Sequence, residues 1–94
     1  MIVSQDVIER QDIFEIVRQQ ICLSSAVDVE AEAITKDSWL VEFGFDSVNS
    51  VDLIMALEER FDIEIDDHDA VGIQTVMDIV LVIEQLLQAQ ASNA

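Results

Sequence analysis

Apolar residues recur at helical spacing in three stretches of the chain. Across residues 6–21, Ile13, Phe14, Val17 and Ile21 fall three and four positions apart, on one face of a helix. From about residue 47 to residue 61, Leu53, Ile54, Leu57 and Phe61 form a second stripe. The third is the most regular: Val76, Ile79, Val80, Ile83, Leu86 and Leu87. Thr75 and Asp78 stand three apart at its head, an approximate capping box that marks where the helix begins. Isolated helices this short are unstable in water, so each stripe must be buried against the others.

The first two helices are separated by CLSSAVDVEAEAITKDSWLVEFGFD, which has no clear period. A connection of that length inside a compact domain needs either a function or its own anchors. Val27, Val29, Ile34, Trp39, Leu40, Phe43 and Phe45 are the expected anchors across the bundle. After the second helix, FDIEID alternates apolar and acidic residues, predicting a short extended segment with Ile63 and Ile65 inward. Residues 68–72 predict one short helical turn. The chain has no proline, no repeat and no low-complexity tract; its last residues, QAQASNA, read as a frayed tail. The expectation is an all-α fold, a small four-helix bundle of three long helices and one short. A single domain spans residues 1–88, with residues 89–94 as tail.

Charge narrows the range of functions. The 94 residues include 20 acids and 4 bases, a net charge of −16. Phosphate neutralisation by clustered Lys and Arg is out of reach, so nucleic acid is excluded as a partner, and an anionic membrane would repel the chain. The fitting partners are proteins with basic patches. Cys22 is the sole cysteine, which rules out an internal disulfide and makes a reducing, cytoplasmic setting the default. No apolar run approaches the roughly 20 residues that span a bilayer. MIVSQDVIERQD lacks the basic start and apolar stretch of a signal peptide.

The head of the second helix, GFDSVNSVDL, carries the candidate chemistry. Gly44 permits a tight turn, and Asp46 and Ser47 are both candidate caps although one suffices. A serine there also sits where backbone N–H groups and the helix dipole favour a phosphate. Stepping about 100° per residue along the helix gives a second stripe, opposite the core stripe, of Val48, Asp52, Met55 and Glu59. Two apolar residues interleaved with two acids suit a docking strip better than a core: methionine adapts to varied partners, and acids steer basic ones. Scattered surface hydrophobes are the plain alternative.

DSWLVEFGFDSVNSVDLIMALEERFDIEID resembles the centre of an acyl carrier protein, and the likeness extends more weakly through the helix after Thr75, about two thirds of the chain in all. The specific part is Asp46-Ser47 followed by apolar Val48 and VDLIMALEERFDIEI. The resemblance implies a four-helix bundle, not an enzyme, in which a phosphopantetheinyl transferase attaches 4′-phosphopantetheine from coenzyme A to Ser47, next to Asp46. The arm's thiol would hold acyl groups as thioesters, activation and reach that a serine ester lacks. It further implies that the second helix, with Val48, Asp52, Met55 and Glu59, meets acyltransferase, ketosynthase or acyl-ligase enzymes through their basic patches, with the chain acting as a monomer.

Departures from the usual pattern point to a subclass. Val48 and Phe43 stand where leucine is commoner, Asn49 replaces a frequent acid, Arg60 adds a late positive charge, and Trp39 is bulky for its place. Asp46 weighs against the peptidyl-carrier branch. The implied setting is a polyketide or specialised fatty-acid pathway. The alternative is an acidic interaction module, a nucleic-acid mimic or immunity-type inhibitor without a prosthetic group, in which Ser47 only caps a helix. Other chemistry fails on spacing. Asp62, Glu64 and Asp66 begin like a calcium loop, but Asp67 and Ile73 occupy the positions of its Gly and Glu. His68 has no second ligand in reach for zinc, GFDSV is not a nucleophile elbow, and Cys22 reads as packing.

Overall fold

The computed structural model describes residues 9–25, 27–46 and 49–92, with residues 91 and 92 given by backbone alone. Among these residues four helices follow in order: α1 (Arg10–Ser24), α2 (Ser50–Phe61), α3 (Asp67–Val71) and α4 (Val76–Ser92). This is the expected small all-α bundle, with α1 packed against both α2 and α4. All four predicted positions of α1, namely Ile13, Phe14, Val17 and Ile21, are buried. So are Leu53, Leu57 and Phe61 of α2, and Val76, Ile79, Val80 and Ile83 of α4, while Leu86 and Leu87 are partly buried against the core. Ile54 differs from its expected place: it is only half-buried, because it turns toward a groove described below. Cys22 packs half-buried against the core.

Helix ends explain the departures in length. α1 runs a turn past Ile21 and stops at Ser25, whose backbone is extended and whose hydroxyl donates to the Phe43 carbonyl at 2.8 Å. α2 ends where Asp62 takes a left-handed conformation (φ 56°), which Asp tolerates better than most side chains. Beyond it, Ile63 and Ile65 are buried while Asp62, Glu64 and Asp66 face solvent, as the alternation predicts. Glu58 holds this segment by accepting the Ile65 N–H at 2.7 Å. The Asp66 carboxylate caps α3 through the His68 N–H at 2.9 Å, and no residue of α3 is buried.

The long loop contains two short 3-10 turns, Ala31–Ala33 and Leu40–Phe43. It is pinned to the start of α4: Leu40 donates to the Gln74 carbonyl, and Val76 and Met77 donate to the carbonyls of Ser38 and Lys36. The last two bonds satisfy N–H groups that the first turn of a helix leaves without partners. Thr75 and Asp78 complete that start as the predicted reciprocal box, at 3.2 and 3.0 Å. Of the expected loop anchors, Ile34, Leu40, Phe43 and Phe45 are buried and Val29 is partly so. Trp39 and Val27 are not anchors; they are 50% and 51% exposed. Ser38 and Leu40 point inward on an extended stretch, so Trp39 between them must point out. Val27 lies in the surface turn in which Ser25 Oγ accepts its N–H.

Candidate attachment and docking site

The turn that leads into α2 is built from hydrogen bonds. Gly44 takes a left-handed conformation (φ 89°), which a side chain would strain, and the chain reverses there. Asp46 then serves the helix start twice. Its carbonyl accepts the Ser50 N–H at 3.0 Å, and its carboxylate accepts the Asn49 N–H at 2.9 Å. Asp46, one of the two capping candidates, thus accepts both N–H groups at the entry to α2. Asn49 adds a side-chain bond to the Gly44 carbonyl at 3.2 Å. Gly44, Asp46 and Asn49 are all exposed, so the turn is open to a visiting protein. Ser47 and Val48 lie outside the described residues.

On α2, Asp52, Met55 and Glu59 are exposed, as the outer stripe predicts, with Met55 at 55%. Beside them runs an apolar groove of about 880 Å³, walled by the Leu40–Phe43 turn, α2 and α3, with Asp46 on its lining. Ile54, Ile65 and Ile73 form its deeper part. Trp39, Val41, Val51, Met55 and Val71, each at least half exposed, line it too. Apolar exposure gathered in one place on a small protein marks a binding surface rather than chance. Sequence reasoning missed Val41, Val51 and Val71. Val51 had a signal, since it lies four residues before Met55 on the same helix face; Val41 and Val71 join the groove only through the fold.

Charge is distributed unevenly. All four basic residues are engaged on or against α1. Arg10 forks onto Glu84 at 2.8 Å, and Arg18 lies 4.6 Å from the centre of the Phe14 ring. Lys36 sits 5.9 Å from the same ring, and Arg60 reaches back to Gln19 and Gln20 at 3.3 Å. The outer face of α2 and the segment through α3 therefore keep Asp52, Glu59, Glu64, Asp67 and Asp69 without cations interspersed. His68 is exposed beside them. Among the described residues no group of three His, Cys, Asp or Glu is arranged to hold a metal ion. None of the described helices is long and apolar enough to cross a membrane.

Comparison with known proteins agrees with this arrangement. The family model for the phosphopantetheine attachment site matches residues 20–83, well over half the chain. An acyl carrier protein of Akkermansia muciniphila is 44% identical over 59 residues, 62% of this chain and 74% of the relative. The match sets aside an acidic decoy without a prosthetic group. The chain belongs to the acyl carrier proteins, which are not enzymes but carry acyl groups on phosphopantetheine and work with biosynthetic enzymes.

Proposed function

We propose that Ser47 is the attachment point of phosphopantetheine, and that the α2 strip of Val48, Asp52, Met55 and Glu59 receives partner enzymes of a polyketide or specialised fatty-acid pathway. The observation that carries this reading is Asp46: its carboxylate accepts the Asn49 N–H at the entry to α2, and it also lines the apolar groove. Asp46 thus supplies acceptors at the entry to α2, and the groove is lined by Asp46 and Ser50, which flank the attachment position in sequence. The exposed turn around Gly44, Asp46 and Asn49 suits both a bulky adduct and the approach of a transferase.

Phosphopantetheine supplies a long arm ending in a thiol that holds acyl groups as thioesters. This chain's own residues do the rest. Asp46 and Asn49 shape the turn, the groove shelters an apolar chain from water, and Asp52 and Glu59 attract basic patches. An acyl chain laid on Ile54, Ile65 and Ile73 gains roughly 0.8 kcal/mol per methylene removed from water. The pathway assignment rests on Trp39, Phe43, Val48, Asn49 and Arg60, which depart from the commoner pattern of housekeeping fatty-acid carriers.

Intact-mass spectrometry after incubation with coenzyme A and a broad-specificity transferase tests the reading. The expected result is a gain of one phosphopantetheine unit, absent in Ser47→Ala. A Ser47→Ala protein that gains the same mass overturns it.

A further inference from the structure

We propose that Asn49 is a positioning residue for the modification of Ser47, acting through a hydrogen bond that an acid at this position cannot make; this rests on Ser47 being the attachment point. Three bonds join residues 44 and 46, before Ser47, to residues 49 and 50, after Val48. They are Asn49 Nδ2 to the Gly44 carbonyl (3.2 Å), the Asn49 N–H to Asp46 Oδ1 (2.9 Å) and the Ser50 N–H to the Asp46 carbonyl (3.0 Å). Two of the three come from Asn49. Within this turn Phe45 is buried in the core, while Gly44, Asp46 and Asn49 are exposed and Ser50 is half-buried. Phe45, whose N–H donates to the Leu40 carbonyl, anchors the turn on its near side, and the three bonds tie that side to the start of α2.

The side-chain bond sets the residue type. A carbonyl oxygen has no hydrogen to give, so the amide nitrogen of Asn49 must face Gly44. A carboxylate there offers only acceptors and would push against the Gly44 oxygen. It would also place a second negative charge next to Asp46. In the transfer, the Ser47 Oγ–P bond forms and a P–O bond of the coenzyme's pyrophosphate breaks. The hydroxyl proton passes to a base on the transferase, and adenosine bisphosphate departs. That in-line attack depends on where the hydroxyl is presented, and misplacement by about 1 Å costs on the order of 100-fold. Docking depends instead on the α2 strip, which Asn49 does not join. Asn49 thus governs the chemical step rather than recognition.

Steady-state loading kinetics with coenzyme A and one transferase test this on wild type, Asn49→Ala and Asn49→Asp. Both variants are expected to lose roughly 2- to 10-fold in kcat, the range of one hydrogen bond. Asn49→Ala is expected to keep the wild-type KM and helical circular dichroism. A wild-type kcat in Asn49→Ala overturns the inference, and so does a loss confined to Asn49→Asp, which would assign the effect to charge. An independent readout needs no variant: the Asn49 side-chain NH2 should show slowed exchange with water by NMR, and free exchange contradicts the bond. Wild type loaded at Ser47 with Asn49→Ala unimpaired defeats this inference alone; wild type loaded at another residue defeats the assignment of Ser47 and this inference with it.

Discussion

Two residues two positions apart on α2 have opposite duties. Leu53 is fully buried between helices, and Met55 is more than half exposed at the groove. Truncating Leu53 to alanine leaves a cavity and should cost about 2–5 kcal/mol in urea unfolding. Met55→Ala should change stability by less than about 0.5 kcal/mol, because its side chain has little packing to lose. A large loss for Met55→Ala would place it in the core and remove it from the docking strip. The acids beside it make a kinetic prediction. Asp52→Lys and Glu59→Lys should slow loading by partner enzymes at low salt while the helical circular-dichroism spectrum stays intact; unchanged rates would remove the strip from recognition. Leu53 and Met55 are separable from sequence because helical rotation sets them on different faces. Trp39 is not, since its outward direction is decided by its pairing with Thr75, far along the chain. The chemistry assigned to Ser47 is legible only as a motif, Asp46-Ser47-Val48 ahead of the α2 pattern.

Elements read well from sequence where their information is local. The stripes of α1, α2 and α4 repeat at the helical period and fall on the core as predicted except at Ile54, and α4 runs on to Ser92, through most of the stretch read as a frayed tail. The two 3-10 turns and the course of the long loop were not legible, because bonds to residues 74–77 hold them. The groove was hidden for the same reason: its walls come from three separate segments. The start of α4 is the element-scale feature with a pH signature. Burial alone would raise the Asp78 carboxyl. Hydrogen bonds from the N–H groups of Gln74 and Thr75 and from the Thr75 side chain outweigh it and hold the group below its ordinary value. A carboxyl lowered by folding stabilises above its unfolded pKa and loses that contribution as pH falls through the folded value. Asp78→Ala should therefore cost about 1 kcal/mol near neutral pH. The gap from wild type should narrow as pH drops below about 4, the ordinary carboxylate range. A gap that is constant with pH would contradict the cap.

At the scale of the whole molecule, net charge of −16 works against compactness. The few cations are committed at α1, so repulsion is concentrated on the face of α2 and α3, where α3 packs only the half-buried Ala70 against the core. Raising salt from near zero to about 0.1 M shortens the Debye length to about 10 Å and should raise the melting temperature, with Mg²⁺ more effective than Na⁺. A melting temperature insensitive to both would show that this repulsion is unimportant. The same face is where a basic partner gains most, which couples the molecule's weakest packing to its recognition surface. The central claim, that the hydroxyl after Asp46 carries the prosthetic group, is tested most directly by peptide-resolved mass spectrometry of the loaded protein. The account predicts the phosphopantetheine mass on Ser47 alone. The same mass on Ser50, the next hydroxyl along and itself part of the groove lining, would contradict it.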